Sequence, residues 1–358
     1  MSERTAKGSR DQSLDFLRGL AALNIILIHT VFWSGENYVP QRVQTLSLLL
    51  DVPFFFFLSG WAADYVRSLK KTLLSLVNIY LKYLVFFCMY ILLLLLLRAV
   101  RGWEAGLSAS NLLGNLVFQV ETGTMLPVVM GSIWFMPVYF TVVPVGGLIL
   151  WLVRRISGGD ERKVSLWTAG ALGVTFLLLL LTWTGVRIPL LSQTNLFHLF
   201  FYLLGFLCRR ASIPRFTWMA GLGIADAALL ILVGRRLELP FLIMQDMKFP
   251  PNVIYFLYSL PAVIGALWLR GKLSGISGKN PICWAGRSAL LFYFCQGIGS
   301  SLLLFAAPRV TLAWYWKFPL MYALNLLVTA VCVWLLSGLY RAVFQLIPEK
   351  VRALRERI

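Results

Sequence analysis

Charged residues are scarce in this chain. Only 13% of its 358 residues are Asp, Glu, Lys or Arg, whereas 59% are apolar. Soluble domains contain about 25% charged and about 45–50% apolar residues. Because a soluble fold needs polar side chains to cover its outside, this composition excludes a soluble globular protein. The chain has 33 basic and 15 acidic residues, so its formal net charge is +18, and it has only two histidines.

Cysteine is also rare, and its placement carries no chemistry. All five cysteines lie within or at the ends of apolar stretches, where cysteine behaves as a small apolar residue. They show neither a disulfide framework nor the spacing of a metal site. We therefore expect no bound metal. The five are Cys88, Cys208, Cys283, Cys295 and Cys332.

What the chain has instead is about ten apolar stretches that are long enough, or nearly so, to cross a bilayer. A crossing helix needs about 20 mostly apolar residues. The stretches lie near residues 14–34, 46–66, 73–98, 127–153, 164–184, 196–208, 218–234, 251–269, 283–306 and 318–346. The stretch at 196–208 is short, and its boundaries are the least defined.

This pattern predicts an all-α, polytopic, multi-pass protein of the cell inner or plasma membrane, with about ten transmembrane helices. We expect a basic N-terminal tail over 1–13, a single transmembrane domain over 14–347 and a basic C-terminal tail over 348–358. The domain and its basic flanks would contact membrane lipids.

The distribution of positive charge predicts the orientation. If the N-terminus is cytoplasmic and each stretch crosses once, most of the 33 basic residues fall in cytoplasmic segments. This is the positive-inside asymmetry, so both termini should be cytoplasmic, with some basic residues at anionic lipid headgroups. We expect no nucleic-acid binding, because no basic patch with interleaved aromatic residues stands free of the membrane.

The first stretch carries the most informative polar residues. On a helix, Asp15, Arg18 and His29 lie within about 60° of one another. Arg18 and His29 are about 16 Å apart along the axis, and Asp15 lies one turn before Arg18 and can pair with it. Ionisable groups in a span are costly unless they face the protein interior or a wet cavity. The alternative is that Asp15 and Arg18 anchor the helix end, with His29 bonded to a backbone carbonyl.

Two motifs in order resemble the membrane-bound acyltransferase-3 family. Residues 14–21 read LDFLRGLA, and ten residues separate Arg18 from His29, as in that family's first span. Residues 52–60 read VPFFFFLSG and are similar to its second-span motif of an aromatic run followed by Ser-Gly. The segments 133–137 and 286–296 also resemble family motifs. The chain departs from many members in having Cys295 and Gln296 where a histidine is common.

The resemblance implies an integral membrane O-acetyltransferase. Such enzymes move an acyl group, usually acetyl from cytoplasmic acetyl-CoA, to a hydroxyl of an extracytoplasmic or lipid-linked glycan. His29 would be the general base, since histidine titrates near neutrality. An acyl-histidine intermediate is the alternative route. Arg18 would hold the donor or the catalytic geometry, and Asp15 would orient Arg18.

Coenzyme A is polyanionic, so its site needs cations. Arg18, Arg67, Lys70 and Lys71 are the candidates, with arginine suited to bidentate phosphate contacts. The alternative for Arg67, Lys70 and Lys71 is that they only enforce topology.

Four further residues are candidate substrate contacts: Ser59, Trp134, Glu121 and His198. Ser59 and Trp134 would supply hydrogen-bond donors to a developing oxyanion. The alternatives are a solvated loop glutamate for Glu121 and a satisfied interfacial histidine for His198.

Two other functions fit a polytopic chain with intramembrane polar residues. A transporter or flippase of a polar or lipid-linked solute would use them as a pathway, and a membrane scaffold or regulatory subunit would use them structurally. CoA-dependent acylation separates the enzyme from both.

Many members of the family carry an extracytoplasmic esterase-like domain that this sequence does not show. The chain would then complete the transfer itself or pass the acyl group to a separate extracytoplasmic transferase partner.

Overall fold

A computed structural model describes residues 10–102, 108–119, 124–189, 191–212, 215–238, 243–273 and 275–345. These residues form fourteen α-helices and no β-strand, which confirms the predicted all-α fold. The helices are α1 (Gln12–Phe32), α2 (Gln41–Ser47), α3 (Val52–Ala63), α4 (Leu69–Arg101), α5 (Ala109–Leu116), α6 (Pro127–Gly131), α7 (Phe135–Ile156), α8 (Glu161–Trp183), α9 (Gln193–Arg210), α10 (Phe216–Arg236), α11 (Val253–Lys272), α12 (Pro281–Arg287), α13 (Ala289–Ala306) and α14 (Trp314–Gln345).

Nine helical segments in the described part of the chain are long and apolar enough to cross a membrane. Two of them are composite, since α2 continues through a 3-10 turn into α3, and α6 through another into α7. They match the predicted stretches, with one exception at 196–208. There α9 has only 18 residues, and its ends carry Gln193, Asn195, Arg209 and Arg210, so its mean hydropathy is low.

Contacts between helix ends define one face of the bundle, which we call the basic side because α1 begins there next to several arginines. Tyr65, which follows α3, donates a hydrogen bond of 2.6 Å to Asp11 before α1. Arg210 at the end of α9 donates to Asp64 at 3.0 Å. The ends of α3 and α9 therefore meet the beginning of α1.

The opposite side is defined in the same way. Trp183 at the end of α8 and Gln193 at the start of α9 both donate to the carbonyl of Pro251, at 3.0 and 2.9 Å. Lys317 at the start of α14 pairs with Glu36, which follows α1. Since α9 begins on the opposite side and ends on the basic side, it is a crossing helix despite its polar ends.

Within the described residues α9 thus adds a tenth crossing of the bundle to the nine apolar segments, and this alternation puts the start of α1 and the end of α14 on one side. The cytoplasmic location of that side stays a prediction from the charge distribution.

Two glycines let α3 and α9 cross with their backbones in contact. A Cβ at Gly60 would overlap the carbonyl oxygen of Tyr202, and one at Gly205 would overlap the carbonyl oxygen of Phe57. Small residues permit such close helix packing within membranes. The Gly of the Ser-Gly motif therefore has a structural role, since it seats α9 and its residue His198 against the aromatic run of α3.

Gly60→Ala should lower the thermal stability of the purified protein. The added Cβ forces α3 and α9 apart, and overpacking of this kind costs about 1–3 kcal/mol. Gly170→Ala in α8 is the matched control, because a Cβ there meets nothing within 4 Å and alanine is the better helix former. Melting temperatures in detergent provide the measurement. Equal values for Gly60→Ala and wild type would contradict the close crossing.

Candidate functional site

A cavity of about 240 Å³ lies inside the bundle, between α1, α3, α4, α7, α12 and α13. On α1 it extends from Arg18 to Ile25, which is about two helical turns. Most of the lining is apolar, and the polar lining residues are Arg18, Ser59, Tyr139, Arg287 and Tyr293. An apolar pocket with a few convergent polar groups is the usual form of a ligand site.

The charged face of α1 points into the protein, as predicted. Arg18 lines the cavity, and Asp15 is only 2% exposed. Asp15 does not form the expected ion pair with Arg18, although its charge acts on the Arg18 guanidinium. The Asp15 carboxylate instead accepts hydrogen bonds of 2.5 and 3.0 Å from Arg10. Arg10 precedes the helix and can fold back onto its first turn, whereas the Arg18 side chain is directed into the cavity.

A second arginine joins Arg18 because α12 packs tightly on the start of α1. Neither Gly19 nor Gly286 leaves room for a Cβ against the facing backbone, which for Gly286 is the carbonyl of Asp15. This packing brings Arg287 to the cavity wall, where it is exposed and donates to the Gly278 carbonyl at 2.7 Å. Arg287 was not among the predicted cations, although it lies within the 286–296 motif.

The other predicted cations lie away from this cavity. Arg67 is exposed, pairs with Glu161 at 3.6 Å and lines a separate groove on the basic side. Lys70 and Lys71 are exposed at the start of α4, and α4 reaches the cavity only at Ile79. A role for Arg67, Lys70 and Lys71 in donor binding stays a prediction.

Ser59 lies at the Arg18 end of the cavity. Tyr139 lines the same part of the cavity, and both Ser59 and the Arg18 guanidinium interact with its hydroxyl group. Trp134 immediately precedes the lining residue Phe135. The Trp134 ring packs edge-on against the ring of Phe249, with the ring centroids 4.7 Å apart. Glu121 lies outside the described residues.

His29 lies one turn beyond Ile25, past the end of the cavity opposite Arg18. Its Nδ1 is buried and has no hydrogen-bond partner among the described residues. A backbone carbonyl was the alternative partner for His29, but it is His198 that has one. The Nδ1 of His198 is 2.7 Å from the Thr194 carbonyl oxygen. His198 is buried within the protein, with its ring centroid 4.6 Å from that of Phe56.

A buried ion pair near the two histidines is not predicted by the sequence motifs. Lys248 Nζ is 2.8 Å from Asp51 Oδ2, and the Tyr255 hydroxyl donates to the same oxygen at 2.7 Å. The charges of Lys248 and Asp51 act on the rings of both His29 and His198. Asp51 could have been noticed as an acidic residue within the apolar stretch 46–66, whereas Lys248 reads as an ordinary loop lysine.

These features define a polytopic helical membrane protein with an internal cavity between an arginine and a histidine of one helix. The acyltransferase-3 family model, described as an acyltransferase domain, matches residues 11–338. The chain belongs to the acyltransferase-3 family and is a multi-pass membrane acyltransferase, which confirms the resemblance seen in its motifs. Searches of curated proteins and of solved structures found no match.

Proposed function

We propose that this acyltransferase moves an acetyl group from acetyl-CoA to a hydroxyl of an extracytoplasmic or lipid-linked glycan. The observation that carries the proposal is the cavity itself, which joins two arginines near the basic side to the neighbourhood of His29. A donor that enters between the arginines would place its acyl end towards the histidine.

The size and charge of the cavity favour a donor with a charged head and a thin arm. Its volume of about 240 Å³ is below the roughly 300–1,000 Å³ of a typical ligand pocket. It can therefore hold an acyl-bearing arm, while the bulky nucleotide stays at the mouth. Guanidinium groups bind phosphate in bidentate fashion, and the exposed Arg287 is placed to do so beside Arg18. Ser59 and Tyr139 would contact the arm at this end.

The chemistry requires a base for an alcohol whose pKa lies far above neutrality. His29 would take the hydroxyl proton as the alcohol oxygen attacks the thioester carbonyl. The new C–O bond forms, the C–S bond breaks, and the leaving thiolate takes the proton from His29. A direct transfer of this kind needs donor and acceptor to meet near His29, on the side of the bundle opposite the arginines.

The first test is consumption of acetyl-CoA by the purified protein in lipid nanodiscs, with release of free thiol followed over time. We expect thiol release that increases when a soluble glycoside is added, with acetyl recovered on the glycoside. Folded protein that neither binds nor consumes acetyl-CoA would contradict the proposal and favour a transport function.

Filling the cavity should lower this activity strongly without unfolding the protein. Ala289 belongs to the cavity wall, so Ala289→Trp places an indole in the path of the donor arm. We expect at least about a tenfold fall in thiol release, the effect of losing roughly 1.4 kcal/mol of donor binding. Ala169→Trp on the exposed face of α8 is the matched control and should retain activity. Equal rates in the two variants would show that the donor takes another route.

A further inference from the structure

We propose that Asp51 and Lys248 form an acceptor-binding subsite beside His29, and that this subsite takes an uncharged, hydroxyl-bearing group. The inference rests on the proposed acyl transfer and assigns residues and a chemical class to its acceptor side. None of the sequence motifs includes either residue.

The pair lies next to the end of the cavity opposite Arg18. Asp51 precedes Val52, and Val52 lines the cavity, as does Phe135 next to Trp134. The Lys248 ammonium lies 5.2 Å above the centre of the Trp134 ring. Asp51, Lys248 and Trp134 are thus gathered where the donor's acyl end would arrive.

Asp51 is directed to this site at the expense of its ordinary local role. It occupies the N-cap position of α3, where an aspartate usually accepts a hydrogen bond from the first turn. Its side chain caps nothing here and turns instead to Lys248 and Tyr255. An apolar replacement of a buried ion pair is often as stable or more stable, so neither helix capping nor stability requires this pair.

Three buried polar atoms at or near the pair could form further hydrogen bonds. Asp51 is 2% exposed and His198 3% exposed. Asp51 Oδ1, His198 Nε2 and His29 Nδ1 are all buried without a partner among the described residues. Buried polar atoms are nearly always hydrogen-bonded. A ligand with hydroxyl groups can donate to Asp51 Oδ1 and either donate to or accept from the histidines.

The charge of the subsite selects the class of acceptor. The Asp51 carboxylate and the Lys248 ammonium compensate each other at 2.8 Å, so the subsite has no charge left for a carboxylate, phosphate or ammonium substituent. Lys248 also covers one face of the Trp134 ring. The chemistry that fits is therefore hydrogen bonding to a neutral polyol or sugar hydroxyl.

The test uses three matched probes: methyl β-glucoside, methyl β-glucuronide and methyl β-glucosaminide, which are neutral, anionic and cationic. Acetyl transfer and equilibrium binding, the latter by saturation-transfer NMR, are both measured in nanodiscs. Wild type should prefer the glucoside by about tenfold or more, the scale of a hydrogen bond to a charged group. Asp51→Asn exposes the ammonium and should shift the preference to the glucuronide. Lys248→Met exposes the carboxylate and should shift it to the glucosaminide.

The controls separate this inference from the proposed function. Lys317→Met is the matched control, because Lys317 is also buried, pairs with Glu36 and lies over the ring of Tyr38 at 4.7 Å. Its charge is not among those that act on His29 or His198. It should not change the preference. If the single variants do not fold, Asp51→Asn with Lys248→Met should keep the neutral preference but bind the glucoside about tenfold more weakly.

Three results would overturn the subsite. The single variants would keep the wild-type preference, the double variant would bind the glucoside as wild type does, or wild type would bind the three probes equally or not at all. Hydrolysis of acetyl-CoA by water in the same samples reports on the proposed function. Intact hydrolysis with an overturned subsite leaves that function standing, whereas no hydrolysis with the expected binding order contradicts the function alone.

Discussion

His29→Ala should reduce acetyl transfer by about 10²–10⁴-fold, the usual contribution of a positioned general base. The histidine is the one basic group on the charged face of α1 beyond the cavity, and its Nδ1 is held in the interior without a partner among the described residues. Binding of acetyl-CoA, measured by isothermal titration, should stay within about threefold of wild type, because the proposed donor would hold its charged head at Arg18, about 16 Å away along the helix.

Chemical rescue distinguishes a base from a structural histidine. Replacing His29 by alanine leaves space of about the size of an imidazole ring, so added imidazole should restore part of the transfer rate in a saturable manner. The same addition to Ala289→Trp should restore nothing, because the indole would fill the cavity that Ala289 lines and so block the proposed donor path. Retention of more than about a tenth of wild-type transfer by His29→Ala would remove His29 from the chemical step.

Arg18→Ala should raise the KM for acetyl-CoA by about 10- to 100-fold, the effect of losing hydrogen bonds between charged groups. Arg18 forms no ion pair within the described residues, since Asp15 is taken by Arg10. Its charge is therefore available to an anionic ligand. Arg18→Lys should recover only part of the affinity, because an ammonium cannot reproduce a bidentate phosphate contact.

The measurement is steady-state kinetics that separates KM from kcat. Arg155→Ala is the control: Arg155 is an exposed arginine on the basic side that stacks over Trp151 at 5.3 Å, and its loss should leave KM unchanged. If Arg67→Ala raises KM as much as Arg18→Ala does, the nucleotide extends into the groove that Arg67 lines. A normal KM with a low kcat in Arg18→Ala would instead assign Arg18 to the catalytic geometry.

Part of the candidate site could be predicted from the sequence. The spacing of Arg18 and His29 on one helix face fixes their relation without knowledge of any other helix, and the structure places the Arg18 side of that face against a cavity. Ser59 was found through its motif and does line that cavity. Gly60, in the same motif, is explained only by α9, a helix that follows far along the chain.

Pairings between distant segments could not be predicted. Asp51 and Tyr255 are hydrogen-bonded although they are 204 residues apart, and nothing local in the sequence indicates which loop lysine joins them. The expected Asp15–Arg18 pair followed the helix spacing rule correctly. It fails because Arg10, before the helix, competes for the same carboxylate.

By itself the sequence determined that this protein is a bundle of apolar helices in a membrane, with a charged stripe on its first helix. Those properties follow from composition and helical periodicity, which are local. Tertiary structure alone decided that Arg287 joins Arg18, that α9 crosses despite its polar ends, and that Lys248 meets Asp51 beside both histidines. Each of these depends on which helices become neighbours. Close packing of glycines and aromatic rings between segments that are distant in sequence determines this, and no single segment specifies it alone.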